Sequence, residues 1–359
     1  MQFTIEADLI RHALSTIKPC TGNKDNPILA SVLFCLQDGC IELLAFDLSL
    51  GITLKIAADI ERGIGQKLAI PYALLCDLLA SLKGQVAFTV EDTTLFIKSG
   101  DTKFSLALPD ASEFPELPIL DAVGSQLDFK SYRTQLATIA KFTATEIKRG
   151  ALCGIYFNPQ DNCTFIAATD SHRLATHEIS TKTIPDSLVL DLGFTKAAIS
   201  VFKDHDDLLL SYGNNLVRLE SPTCSLIGRT LDGAYPPYQK LFPQSFTQEI
   251  ELSAEDFKNA IATIAPVAKQ KSFVRLDLKP NEILVSARQQ DLGEAKTTIS
   301  CSEEVQPLTI HFNYTYLKDA LSDISGTLIF QITDWNRPAV FTGSDGYRHL
   351  LMPVQVPQS

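Results

Sequence analysis

Apolar residues recur at i, i+4 and i+7 in three places along the chain: Ile10, Leu14, Ile17; Tyr132, Leu136, Ile139; and Phe257, Ile261, Ile264. That period marks one buried stripe on a helix. A strand-like run leads into each helix, at Phe3–Ile10, Leu127–Tyr132 and Ile250–Phe257. Ser253 with Asp256 three residues on predicts a capped helix start in the third. The stripes begin 122 and 125 residues apart, so the chain is expected to hold three copies of one unit. Within copies one and three the motif occurs again. Lys67–Pro71 precedes Leu75, Leu79 and Leu82, and Thr309–Asn313 precedes Leu317, Leu321 and Ile324. The middle copy has a weaker counterpart near 188–203, its stripe reduced to Ala198 and Phe202. Short alternating runs such as Ile41–Phe46, Gln85–Val90, Thr94–Lys98 and Lys103–Leu108 predict strands, and Asp38-Gly39, Ser99-Gly100 and Gly213-Asn214-Asn215 predict turns. Each copy reads as two strand–helix–three-strand halves, an α+β domain. The proline-bearing segments Phe114-Pro115-Glu116-Leu117 and Tyr235-Pro236-Pro237-Tyr238 close the first two copies, giving domains at 1–122, 123–246 and 247–359.

Composition narrows the class. With 45% hydrophobic and 20% charged residues in 359, the chain is a folded protein of several domains. No apolar run reaches the roughly 18 residues of a membrane span. The opening Met1–Glu6 carries an acid where a signal peptide is basic. Eight scattered cysteines without paired short spacing read as reduced thiols, and the expected location is the cytoplasm.

Catalytic chemistry is not apparent. Asp170, Ser171 and His172 carry the letters of a hydrolase triad, but adjacent residues do not converge as triads do. There is no glycine-rich phosphate loop, no His/Cys ligand spacing and no carboxylate grouping for two metals, so neither metal nor cofactor is expected. His12, His177, His205, His311 and His349 follow no pattern. The net charge of −11 argues against a conventional duplex binder, which needs a basic face. Residues 130–149 nevertheless hold Lys130, Arg133, Lys141, Lys148 and Arg149 against Glu146 alone, a local +4.

The stretch Ala168-Thr169-Asp170-Ser171-His172-Arg173-Leu174-Ala175 resembles the Ala-Thr-Asp-Gly-His-Arg-Leu-Ala of the bacterial DNA polymerase III β subunit, the replicative DNA sliding clamp. Asn26–Ala30, Phe46–Gly51, Lys103–Leu106, Gly233–Tyr238 and Leu350–Val354 extend the resemblance over the whole chain. It implies a non-catalytic processivity factor: three tandem DNA-clamp domains, closed head to tail as a homodimer into a six-domain ring lined by helices. Size agrees, because domains of about 13 Å radius of gyration leave room for a duplex when six form the ring, but not when three do. The implied partners are double-stranded DNA without sequence preference, a second copy of the chain, the replicative polymerase, the clamp loader and other clamp-motif proteins, and no membrane.

The resemblance also implies sites. Lys24, Lys148 and Arg149 match phosphate contacts. A pocket for a short Gln- and Leu/Phe-containing peptide is implied at Leu152, Thr169, His172, Arg173, Leu174, Pro236, Lys240, Leu241, Leu350, Leu351, Met352, Pro353 and Val354, with Val356 at one side. The dimer edge is expected at Lys103, Phe104 and Leu106, meeting Ile264 and Glu303 of the other chain. Ser171 stands where the family has glycine, Lys240 where it has arginine, Gln355 where some relatives have arginine, and Pro357–Ser359 extend past the usual end.

Overall fold

The structure is a computed structural model describing residues 1–22, 26–180, 184, 186–268, 273–290, 292–301 and 305–355. Copy one runs β1 (Gln2–Glu6), α1 (Ala7–Ile17), β2 (Ser31–Gln37), β3 (Cys40–Phe46), β4 (Gly51–Ala57), β5 (Asp59–Arg62), β6 (Lys67–Pro71), α2 (Tyr72–Leu79), β7 (Gln85–Glu91), β8 (Thr94–Ser99) and β9 (Thr102–Ala107). Copy two runs β10 (Ser125–Asp128), α3 (Phe129–Ile139), β11 (Gly154–Pro159), β12 (Thr164–Thr169), β13 (Arg173–Ile179), β14 (Leu188–Asp191), α4 (Leu192–Val201), β15 (Asp207–Gly213), β16 (Leu216–Glu220) and β17 (Cys224–Arg229). Copy three runs β18 (Gln248–Ser253), α5 (Ala254–Ala268), β19 (Phe273–Lys279), β20 (Glu282–Gln289), β21 (Gly293–Ser300), β22 (Leu308–Asn313), α6 (Tyr314–Ser322), β23 (Thr327–Ile332), β24 (Ala339–Gly343) and β25 (Tyr347–Leu351). Apart from the extra strand β5, this is the strand–helix–three-strand motif six times.

The predicted stripes are the buried faces. Ile10, Leu14, Ile17, Tyr132, Leu136, Ile139, Phe257, Ile261 and Ile264 are all at most 4% exposed, and burying each such side chain is worth roughly 1.5–3 kcal/mol. The weak middle stripe is a helix too, because Phe194, Ala197, Ala198 and Val201 supply the spacing. Ser253 Oγ accepts from the Asp256 N–H at 3.2 Å, the predicted cap.

Within each copy the first strand of one half pairs with the other half: β1 with β7, β6 with β2, β10 with β15, β14 with β11, β18 with β23 and β22 with β19. Two compact units result, one of Met1–Arg133 with Gly193–Thr230, the other of Thr134–Leu192 with Leu231–Ser359. The first unit holds a five-stranded sheet (β5-β1-β7-β8-β9) and an eight-stranded one (β10-β15-β16-β17-β4-β3-β2-β6). The second holds an eight-stranded sheet (β14-β11-β12-β13-β25-β24-β23-β18) and a four-stranded one (β21-β20-β19-β22).

Each eight-stranded sheet crosses a joint between copies. At the first, β17 pairs antiparallel with β4; at the second, β13 pairs antiparallel with β25. Both joints match the third strand of a first half to the third strand of a second half. The remaining third strands, β21 and β9, end their sheets. A Cβ on Gly51, which pairs with Ile227 at the first joint, would lie 2.4 Å from Leu117, so the close approach there requires glycine. Ile28, Leu29, Leu33, Phe46 and Phe114 cluster beside it with Leu117, bringing three sequence motifs together.

Candidate partner-binding site

β12 and β13 are joined by the turn Asp170–Arg173. Asp170 Oδ1 accepts from the His172 and Arg173 N–H groups at 3.0 and 3.1 Å. Thr169 Oγ1 accepts from the Ser171 N–H at 3.2 Å and donates to the Arg173 carbonyl at 2.6 Å. Ser171 takes the φ of 75° expected of glycine there, a conformation its Cβ makes costly. Arg149, from the short helical segment Ile147–Cys153, donates from Nη1 to the Asp170 carbonyl (3.0 Å) and to Ser171 Oγ (2.9 Å). Asp170 and Ser171 thus build a turn, and their hydrogen bonds make no serine–histidine pair.

Arg173, expected among the peptide contacts, has all three guanidinium nitrogens hydrogen-bonded within the protein. It pairs with Asp170 (2.9 Å) and Asp319 (2.6 Å), donates to the Lys141 carbonyl (3.0 Å), and lies over the rings of Phe142 and Tyr316 at 5.0 and 4.4 Å. Such a buried, multiply bonded cation braces neighbouring elements, with three of its five N–H donors committed within the protein. Beside it opens a cavity of about 300 Å³ lined by Lys141, Glu146, Arg149, Asp170, His172 and Tyr316. Lys141 Nζ is tied to Asp323 at 2.5 Å.

The apolar part lies on the other face of β13 and β25. Leu174 and Leu350 are register partners and pack with Ala167, Tyr238, Phe242 and Val340. Tyr156 and Tyr235 stack against this cluster, ring centroids 4.7 Å apart. Burial pushes the Tyr235 hydroxyl pKa well up, so the ring is a neutral apolar wall. Around it Leu152, Pro236, Pro353 and Val354 are half-buried, while Leu241 and Met352 stay 53% and 42% exposed. Large apolar side chains left in water beside a formed apolar floor suit a ligand-covered surface. The Met352 N–H donates to the His172 carbonyl at 3.1 Å and the Val354 N–H to the His311 carbonyl at 2.8 Å, fixing the segment after β25. Lys240 and His172 are exposed at the edge, and Thr169 is buried under the turn.

Some expected residues fall elsewhere. Leu351 follows Leu350 in a strand, so it faces the opposite side and is fully buried. Ile264 is fully buried on the inner stripe of α5 and has no surface for another chain. Phe104 and Leu106 are half-buried along β9, and Lys103 is exposed with its ammonium 5.1 Å from the Phe96 ring. Lys148 is exposed. Lys24, Glu303 and Val356 lie outside the described residues. Sequence reading missed Tyr156, Phe242, Val340 and Tyr316; the tyrosines flanking Pro236-Pro237 were the available signal, whereas Tyr316 lies off the helical stripe. None of the eight cysteines is in a disulfide, and no metal-holding group occurs among the described residues. No described helix is long and apolar enough to cross a membrane.

Models of the N-terminal, central and C-terminal domains of the DNA polymerase III beta subunit match residues 1–118, 126–237 and 239–355. The chain belongs to that family, the bacterial sliding clamps. The beta sliding clamp of Synechococcus elongatus is 28% identical, covering 99% of this chain and 100% of the relative. That of Haemophilus influenzae is 26% identical over 90% of each. The solved Bacillus subtilis sliding clamp superposes with a TM-score of 0.91 at 22% identity, covering 99% of this chain and 100% of that one. The Bartonella birtlesii clamp, solved bound to griselimycin, gives 0.92 at 23% with the same coverage. Sliding clamps are non-catalytic processivity factors of the polymerase.

Proposed function

We propose that the chain encircles duplex DNA as a head-to-tail homodimer and tethers the replicative polymerase, the clamp loader and other clamp-motif proteins through the Leu174–Leu350 site, in the cytoplasm. The observation carrying this reading is the repeated joint. Two joints within the chain pair third strand with third strand. The same rule leaves β21 of one chain for β9 of another, and a second identical joint closes the ring. Phe104 and Leu106 then gain cover, with Lys103 at the edge. The three domains take 1–122, 123–246 and 247–359. Lys148 is the exposed cation for the backbone of DNA, and Lys24 is assigned with it by resemblance. In a closed ring, retention does not require tight binding, so an acidic chain can serve.

The peptide pocket rests on the exposed Leu241 and Met352 above the aromatic floor, with polar His172 and Lys240 to orient the peptide. The clamp of Pseudomonas aeruginosa, like that of Bartonella birtlesii, was solved bound to griselimycin, which supports a ligand site on this fold. The test is topological. The chain is loaded by a clamp loader onto nicked circular DNA, which is then linearised. Retention on the circle and loss from the linear form are expected; equal retention on both would refute encirclement.

A further inference from the structure

We infer that Arg149 and Ser171 act together as a positioning pair for the peptide pocket, fixing the Asp170–Arg173 turn on which the pocket's C-terminal wall is hung. The inference rests on the pocket reading above and changes the role of Arg149 from a contact with DNA.

A run of hydrogen bonds carries it. Arg149 Nη1 holds the turn at two atoms, the Asp170 carbonyl at 3.0 Å and Ser171 Oγ at 2.9 Å. Two residues on from Asp170, the His172 carbonyl accepts the Met352 N–H at 3.1 Å. Arg149 is therefore two residues of turn away from the strand end that presents Met352. The reach of Arg149 is set by Gly150, whose φ of 53° and ψ of −122° break the helical segment just after it. Its Nε faces Glu146 at 3.4 Å, so the guanidinium is oriented from behind as well.

Serine at 171 is what makes the arrangement specific. A glycine would take φ of 75° more readily but would offer Arg149 no side-chain oxygen. The hydroxyl compensates a strained backbone with a charge-assisted bond, so turn and arginine hold each other. Asp170 and Arg173 cannot substitute for this contact. The Asp170 carboxylate is taken by two N–H groups and by Arg173, and Arg173 points to Asp319 and Lys141. His172 and Tyr316, whose rings lie 6.2 Å apart at 24°, sit on the rim of the same cavity as Arg149. A shift of the turn would move His172, the Met352 segment and that rim together.

The experiment compares Arg149→Ala, Ser171→Ala and the double variant in the full-length chain. Ser171→Ala keeps the Cβ and removes only the hydroxyl. Affinity is read with a labelled peptide containing Gln, Leu and Phe, and protection of the Met352 amide by hydrogen exchange. Each single change should weaken the peptide about five- to tenfold, and the double variant no more than the worse single, because coupled residues are non-additive. Met352 protection should fall in both singles. A brace that served only stability would lower the melting temperature and leave the affinity of the folded protein unchanged, which would overturn the inference. So would additive losses, or lost DNA retention with peptide affinity and Met352 protection intact. If the unaltered chain bound no such peptide, or Leu241→Ala and Met352→Ala left binding unchanged, the pocket reading would fail. The exchange measurement would still decide whether Arg149 and Ser171 fix the turn.

Discussion

His349 in β25 is fully buried against the rings of Phe142 and Phe341, and neither of its ring nitrogens has a hydrogen-bond partner among the described residues. Burial first, and the nearby Arg173 charge second, push its pKa down to about 3. In the unfolded chain histidine titrates near 6.5. The folded value is the lower one, so this group leaves stability intact above about pH 6.5 and erodes it as pH falls through that value toward 3. From pH 7.5 to pH 5 the loss is about 2 kcal/mol. His349→Phe should remove that part of the acid sensitivity while other groups titrate equally in both proteins. Denaturant unfolding at several pH values gives the difference; parallel curves would show that His349 is not the neutral core residue described. Residue-level detail of this kind was the least legible in the sequence. Leu350 and Leu351 look alike in a motif, and only strand alternation tells which one joins the Leu174 cluster. Arg173 reads as a ligand contact by resemblance, yet its partner Asp319 lies 146 residues away in the chain. No local pattern announces such a pairing.

At the scale of elements, α5 and α6 frame a groove of about 430 Å³ lined by Ile261, Ala262, Ala265, Leu321 and Tyr314. Lys258 and Lys318 also line it, and neither makes an ion pair among the described residues. If the helices line the hole of the proposed ring, as the resemblance implies, these two cations meet phosphate. Lys258→Ala and Lys318→Ala should each lower the salt slope of the equilibrium binding constant for duplex DNA by about one, measured across a salt titration; an unchanged slope would turn α5 and α6 away from the DNA. The edge strand β9 makes a second prediction. Leu106→Lys should shift the native mass from twice the chain mass to once, because a charge would replace an apolar residue in the seam. A dimer of unaltered affinity would move the interface off β9. Elements themselves were largely legible, since helix stripes and turn dipeptides are local signals. Pairing of first strands with the opposite half was not, because it is made by residues far apart in sequence. The α4 stripe was underestimated because two alanines pack where the other helices carry leucine or isoleucine.

For the whole molecule, three similar domains were legible from period alone, but the repeat does not explain why only one joint carries the proposed pocket. The first joint places Leu117 against Gly51, inside a cluster with Phe114. At the second, Leu241 and Met352 stand exposed next in sequence to the Tyr238–Phe242 and Leu350 parts of an aromatic cluster, and the chain continues past β25 to bond the His172 and His311 carbonyls. Position in the chain breaks the symmetry. The sheets that cross the joints bear on mechanics as well. Each internal joint is held by a strand ladder and also bridged by polypeptide, residues 108–124 at the first and 230–247 at the second. A ladder broken there would re-form at the millimolar effective concentration a short tether gives. The proposed seam of β21 and β9 would have the ladder without a short covalent bridge, its edges joined only the long way round the ring, so it re-forms at a lower effective concentration. If the ring closes as proposed, opening is directed to the two seams between chains, so that six like joints would give only two gates.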